Sequence, residues 1–455
     1  MSPVSVPAVV IAAPSSGSGK TTVATGLMAA LRGAGHRVAP FKVGPDFIDP
    51  GYHALATGRP GRNLDPVLVG EDLIGPLYRH GSDGADISVV EGVMGLFDGR
   101  IEDWFRLPAR GSTGEVAGLL GAPVLLVVDA RGQSQSIAAV LQGFSAVSPA
   151  VRIGGVILNR VGSPRHEQVL RSACESVGVP VLGALPRHDA LSVPSRHLGL
   201  VTAVEHGAAA RSAVDAMAGL VARHVDLAAV RGMARSSVSA APWSAREAIG
   251  AGSPGVRPVV AVAAGPAFSF GYAERDELLD AAGADVVAFD PLTDELPPGA
   301  GALVLPGGFP EEYAAELSAN AALREQIAVF AAGNPVHAEC GGLTYLMDDL
   351  DGTPMCGVLP GSARFTERLT IGYRDAVAAA DSPLFSTGER VAGHEFHRTA
   401  VDFTDPVQPA WLLADHVGDR ASDGAVRDGL HAGYLHTHPA AHPRAVRRFV
   451  ELATI

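Results

Sequence analysis

Lysine is almost absent from this 455-residue chain: it occurs at Lys20 and Lys42 only, and arginine carries the remaining positive charge. Codon bias explains the scarcity and makes the two survivors informative. A compact ammonium with rotatable donors serves a phosphate in ways a planar guanidinium does not. Positive charge as a whole is short, with 35 Lys and Arg against 48 Asp and Glu and a formal net charge of −13. That balance excludes a broad nucleic-acid surface. Cysteine is scarce too. Cys174, Cys340 and Cys356 show no paired spacing and no CxxC, so free thiols in a reducing cytoplasm are expected, with neither disulfides nor a zinc site. Long apolar runs are missing. The longest, GLLGAPVLLVVDA, is broken by Pro123, so no membrane-spanning helix and no membrane partner are expected. A basic leader is missing as well: MSPVSVPAVVIAAP reads as a first strand, not a signal peptide.

What is present fits a soluble globular enzyme, with 47% apolar and 18% charged residues. The length exceeds one ordinary core, so two domains are expected. Apolar, β-branched runs at Val9–Ala13, Val38–Val43, Ile87–Val90, Val124–Val128, Gly155–Leu158 and Val181–Ala184 alternate with helical segments such as Lys20–Arg32 and Ile137–Phe144. This predicts an α/β fold with a doubly wound parallel sheet. An Ala/Ser/Gly/Pro-rich stretch, residues 232–256, reads as a linker between domains at 1–231 and 257–455. A second α/β series follows, at Val259–Ala264, Val286–Phe289, Ala302–Leu305 and Pro335–Ala338.

Two stretches carry chemistry. In VVIAAPSSGSGKTT a strand meets a Gly/Ser turn and then a helix. Backbone N–H groups of such a turn cradle phosphates, so Ser16, Gly17, Ser18, Gly19, Lys20, Thr21 and Thr22 are nucleotide-binding candidates. Lys20 would reach the β/γ-phosphates and Thr21 would ligate Mg²⁺. The usual opening glycine is Pro14 here, and Ala13 takes that place. Strand ends that bind ligands in open parallel sheets add Lys42, Asp46 and Glu91, and Asn159 is a candidate for reading the base. Thr21, Asp46 and Glu91 form a candidate metal set for Mg²⁺ with ATP. Asp46 also opens DFIDPGYH, which with Tyr52 and, further on, Asp98 reads as a substrate loop.

The other stretch is VHAECGGLTYL. A strand–turn–helix elbow exposes Cys340 and is expected to lower its pKa through the helix N-terminus. A thiol nucleophile needs a base, and GYLHTH offers His436 and His438 on one face of a strand. Backbone N–H groups of Gly307 and Gly308 in LPGGFPEEY, with Gly341, are candidates for an oxyanion site.

Together, AECGGLTYL, LPGGFPEEYAAELSAN, GHEFHRT, GYLHTH, APSSGSGKTT, KVGPDFIDPGYH, EGVMGLFDG and GVILNRV resemble the cobyrinic/hydrogenobyrinic acid a,c-diamide synthases over almost the whole chain. The resemblance implies a dethiobiotin-synthetase-like ATP domain joined to a flavodoxin-like class I glutamine amidotransferase domain. It implies a corrinoid polycarboxylate and L-glutamine as substrates; a homodimer is expected as the assembly, on no feature of the sequence. Cys340 is then the nucleophile and His436 the base. Position 438, where many relatives of this class carry Glu, is His, so a Cys–His dyad is expected. His394, Glu395 and His397 are implied in the domain contact or ammonia path. The low-lysine composition is that of organisms in which a late-cobalt route is common, which favours the cobalt-free acid. Cobyric acid synthase, a ParA/MinD-like ATPase and a stand-alone glutaminase or peptidase are the competing readings.

Overall fold

The computed structural model describes residues 5–102, 104–187, 195–196, 199–200, 202–250, 255–414 and 420–454. The chain divides into two compact units, residues 1–243 and 244–455.

The first unit is built on seven parallel strands: β1 (Ala8–Ala12), β2 (Val38–Val43), β3 (Arg62–Leu64), β4 (Ile87–Glu91), β5 (Val124–Asp129), β6 (Ile153–Val161) and β7 (Val181–Pro186), in the order β3-β2-β4-β1-β5-β6-β7. β1 is buried along its whole length between β4 and β5, as its unbroken apolar run requires when helices cover both faces. The order changes direction at β1, so the loop after β1 opens at a topological switch point. Helix α1 (Lys20–Gly33) starts directly from that loop. Its N-cap, Gly19, has φ 96°, a left-handed conformation that glycine adopts without a Cβ penalty.

The expected substrate loop DFIDPGYH is for the most part a second helix, α2 (Asp49–Thr57). Asp46 caps it, its Oδ1 accepting the N–H groups of Ile48 at 2.7 Å and Asp49 at 3.0 Å. Pro50 in the first turn, where its missing N–H costs nothing, favours the same start. Tyr52 is 1% exposed on this helix, and burial raises its phenol to about 12. It therefore faces the interior and not a ligand in solvent.

Residues 232–256, expected as a linker, are packed well beyond their start. Arg235 pairs with Ala8 through both backbone groups, at 3.0 and 3.1 Å, and Ser237 N–H donates to Leu120 O at 3.0 Å. Trp243 is buried with its ring 5.1 Å from His80, and Ala245–Ile249 forms a short helix of the second unit. Small residues make the stretch look like a linker, while Trp243 and Ile249 supply the apolar anchors. Residues 251–254 lie outside the described residues.

The second unit carries a six-stranded sheet in the order Asp285–Phe289, Val259–Ala263, Ala300–Leu305, Val336–Glu339, Leu430–Gly433, Ala425–Arg427. The first five strands run parallel and the last antiparallel. Beside it stands a second, mixed sheet dominated by a long antiparallel pair, Leu359–Ala378 with Arg390–Phe403. The sequence reading did not foresee this sheet. Its strands alternate polar and half-buried residues, unlike the continuous apolar runs of the parallel layer. Its strand His436–Thr437 pairs with Gly393 and His394, which brings GHEFHRT beside the C-terminal histidines.

Candidate active sites

In the first unit the two lysines and the strand-end acids converge at the C-terminal edge of the sheet. Lys20 Nζ donates to Met94 O at 2.5 Å and Ser15 O at 3.3 Å. Burial, with the Lys42 charge beside it, brings its ammonium down to about 8. Lys42 is fully enclosed. Its Nζ meets Glu91 Oε1 at 3.0 Å and pairs closely with Asp49 Oδ2, while Asp46 Oδ2 stands off at 3.8 Å. Burial opposes the Lys42 charge, but Asp49, Glu91 and Asp46 outweigh it and raise its pKa. Burial would also raise the Glu91 carboxyl. Lys42 and His53 reverse this and hold it below the usual carboxylate range. His53 Nε2 lies 2.6 Å from Glu91 Oε2, with both side chains fully buried. Thr21 Oγ1 donates to Glu91 Oε1 at 2.6 Å and lies 3.5 Å from Asp49 Oδ2.

Asp49, one helical turn after Asp46, is therefore the acid that reaches Thr21. Asp46, expected in the metal set, has Oδ1 committed to the α2 cap. The oxygen donors Thr21, Asp49 and Glu91 suit a hard divalent cation that takes its other ligands from phosphate and water. Among the described residues no group of three or more His, Cys, Asp or Glu is arranged to hold a metal ion by itself. Asn159, expected to read the base, is occupied at both ends: Nδ2 donates to Ser18 O at 2.9 Å and Oδ1 accepts from Arg160 N at 2.9 Å. It braces the phosphate turn from β6. Arg160, at φ 59°, adds a bond to Gly17 O at 2.9 Å and pairs with Asp129 at 2.5 Å. Ser16 and Gly17 are exposed, Thr22 is half-buried, and Ser18 turns inward to donate to Ser15 O at 2.9 Å. Asp98 is exposed and caps the turn after β4 by accepting from Gly95 N at 3.0 Å.

In the second unit Cys340 ends the central strand Val336–Glu339 and takes φ 50°, ψ −103°. A non-glycine residue in such a conformation is strained and held by its surroundings. Cys340 N–H donates to Gly433 O at 2.8 Å, and Sγ points at Phe396 O, 3.8 Å away. The expected lowering of the thiol pKa is reversed. Burial, with the Glu311 charge, pushes it up, and the bond from Gly341 N–H offsets this only in part. The following helix, Gly341–Leu346, has six residues, too few to overcome desolvation. An upward shift favours the neutral thiol over the thiolate.

The three candidate oxyanion glycines sit close to Cys340 and to one another. A Cβ on Gly341 would lie 3.2 Å from Gly308 N, one on Gly308 2.0 Å from Ala267 O, and one on Gly307 2.5 Å from His436 Cε1. Side chains at these positions are excluded by contact. His436 is 0% exposed, with its ring centroid 6.3 Å from that of Phe270. His438 is directed elsewhere. Its ring lies 4.2 Å from Tyr272, and its Nδ1 accepts from Ala440 N at 3.3 Å. Glu339, not anticipated, faces the histidines: Oε2 lies 3.6 Å from His436 Nδ1 and Oε1 3.5 Å from His337 Nε2. From GHEFHRT, His397 stacks on Tyr434 at 3.7 Å, Glu395 pairs with Arg374 at 2.6 Å, and burial with nearby His436 lowers His394 to about 3. Asp423 accepts from Tyr434 N and Leu435 N at 2.9 and 3.1 Å and so anchors the approach to His436.

Comparison with known proteins places each site in a known domain. Residues 9–201 match the CobQ/CobB/MinD/ParA nucleotide binding domain, and residues 259–443 match the CobB/CobQ-like glutamine amidotransferase domain. The chain is 66% identical to a hydrogenobyrinate a,c-diamide synthase of Mycobacterium tuberculosis, over 98% of this chain and 97% of the relative. It is 56% identical to the enzyme of that name from Streptomyces coelicolor, over 98% and 97%. It is 40% identical to a cobyrinate a,c-diamide synthase of a Synechococcus species, over 98% of both. With both domain patterns in order and these identities over nearly its whole length, the chain belongs to the family of hydrogenobyrinate and cobyrinate a,c-diamide synthases.

Proposed function

We propose that this protein is a glutamine-hydrolysing, ATP-dependent amidoligase that converts the a and c acetate side chains of hydrogenobyrinate to amides. The observation that carries the reading is the presence on one chain of a lysine-lined phosphate turn and a strained cysteine elbow, in the order of its relatives. A carboxylate does not yield to ammonia directly, because its oxygen is a poor leaving group. An acetate oxygen attacks the γ-phosphorus of ATP, ADP departs, and an acyl phosphate forms. Ammonia then attacks the acyl carbon, and inorganic phosphate leaves. Lys20 and Lys42 stabilise the charge that builds on the transferring phosphoryl group, a preorganised electrostatic contribution. Thr21, Asp49 and Glu91 would hold Mg²⁺, which supplies charge neutralisation between the phosphates.

Ammonia comes from glutamine. Cys340 Sγ, giving its proton to His436, attacks the carboxamide carbon. The oxyanion that forms meets the N–H groups of Gly308 and Gly341. The proton passes from His436 to the departing ammonia, and water then releases glutamate from the thioester. The cobalt-free substrate is proposed because relatives at 66% and 56% identity carry that name. Incubation with hydrogenobyrinate and, separately, cobyrinate, each with Mg-ATP and glutamine, tests the reading by mass spectrometry. Two successive amidations, faster on hydrogenobyrinate, are expected. Glutamine-independent ATP turnover with no amide on either corrinoid would contradict it.

A further inference from the structure

We propose that Glu339, the residue immediately before the nucleophile, is the positioning carboxylate of the glutamine site and completes a Cys340–His436–Glu339 relay. The inference rests on the assignment of Cys340 and His436 made above. In that assignment the place two residues after the base is occupied by His438, which cannot act as a carboxylate. The geometry supplies the missing group from the strand that carries the thiol. Glu339 Oε2 lies 3.6 Å from His436 Nδ1, and Thr437 N–H donates to Oε1 at 3.3 Å. One carboxylate therefore stands against the base and accepts from the backbone just after it.

Adjacent residues can serve both roles because the backbone turns between them. Glu339 is the last residue of the extended strand and shares its face with His337. Cys340 then enters the left-handed region, which directs Sγ toward Phe396 O. A carboxylate at Nδ1 holds the proton on that nitrogen and leaves Nε2 to act as the base. Nε2 lies on the side of Gly307, since a Cβ there would approach it to 3.2 Å. The charged form of Glu339 is favoured as well. Burial would raise its carboxyl, but the His337 and His436 imidazoles beside it overcome this and hold it below the usual range. His337, 19% exposed, is the second imidazole on the same carboxylate. On the neighbouring antiparallel strand His394 stands opposite His436 in register, with Arg374 beside it. The acid in ion-pair contact with the ring is Glu339.

The test uses the full-length protein and compares Glu339→Gln, Glu339→Asp and His436→Asn. Glutamine hydrolysis is followed across pH, and ammonia-dependent amidation serves as the control for an intact first unit. The expected result for Glu339→Gln is a fall in glutaminase kcat of about 10²-fold or more, by analogy with loss of the orienting carboxylate in a triad. KM for glutamine should change little, and the ammonia-dependent rate should be retained. The acidic limb of the glutaminase profile should move to lower pH, because the imidazolium loses its partner charge. Glu339→Asp should recover part of the rate. A wild-type kcat and acidic limb in Glu339→Gln, with His436→Asn inactive, would overturn the positioning role alone. A His436→Asn variant that hydrolyses glutamine normally would overturn the underlying assignment. If Glu339→Gln loses thermal stability in the second unit, Glu339→Ala assayed below its melting temperature decides: an unshifted limb and full kcat in a folded Glu339→Ala would overturn the inference.

Discussion

The two sites use the same scaffold in opposite ways. Each lies where a central parallel strand gives way to a turn and a helix, and each turn enters left-handed backbone. In the phosphate turn the left-handed positions are glycines, Gly17 at φ 76° and Gly19 at φ 96°, so the conformation costs little and the amides are free to face an anion. At the elbow the left-handed residue is Cys340 itself, which carries strain so that its side chain stands clear of the sheet. Charge is handled oppositely too. The phosphate site groups Lys20, Lys42, Asp49 and Glu91, with close pairing between Lys42 and the acids, and is poised for a highly charged ligand. At the elbow burial pushes the Cys340 thiol up, so in the proposed reaction activation falls to a neighbour. A site for phosphoryl transfer needs permanent charge, whereas a site for thiol chemistry needs charge only while it reacts.

The contrast breaks most visibly at Lys20. Lys20→Ala should slow amidation at least about 10²-fold whether glutamine or ammonia is the nitrogen source, because one preorganised charge on the transferring group is lost. Near-normal ammonia-dependent turnover would take the phosphate turn out of the reaction. At the elbow, His436→Asn should lower glutamine hydrolysis by about 10²-fold or more, the size of a lost general base, whereas His438→Asn should stay within a few-fold. Steady-state glutaminase assays check the ranking, and the reverse order would move the base to His438.

A finer test separates the two aspartates. Asp49→Asn should raise the Mg²⁺ concentration needed for half-maximal rate more than Asp46→Asn does, because Asp49 meets Thr21 and Lys42 while Asp46 caps α2. Asp46→Asn keeps the accepting oxygen and should leave thermal stability nearly unchanged, whereas Asp46→Ala should cost about 1 kcal/mol for the lost helix cap. Equal Mg²⁺ requirements would return the metal role to Asp46.

The smallest effect concerns pH. Lys20 titrates near 8 in the free protein, below its ordinary 10.5. ATP favours the charged ammonium, so below about 8 its affinity is flat. Above that value binding must carry in a proton, and affinity should fall by up to about tenfold per pH unit. Calorimetric titration of ATP at neutral and alkaline pH checks this, and Lys20→Ala should flatten the dependence.

The parallel sheet and the phosphate turn were legible because unbroken apolar strands and a Gly/Ser/Lys/Thr turn are local signals. The elbow was legible from Cys340 between a strand and two glycines. What failed were assignments that depend on direction. Asp46 and Asp49 are three residues apart, and the helix that selects Asp49 begins between them. Asn159 lies at a strand end, as expected, but the turn beneath it takes its Nδ2 and the next residue's N–H takes its Oδ1. Glu339 was hidden by its own position: a strand neighbour of the nucleophile should face away from it, and only the turn at Cys340 makes the two cooperate. The antiparallel sheet was missed because its long strands carry polar faces.

The central claim is that phosphoryl transfer and ammonia release are separate chemistries on separate units of one chain. Cys340→Ser tests it most directly, with corrinoid amides and ADP quantified side by side in glutamine and in ammonia. The account predicts no glutamine-dependent amide, undiminished ammonia-dependent diamide and one ADP released per amide formed in ammonia. Loss of both activities in a folded Cys340→Ser protein would contradict it.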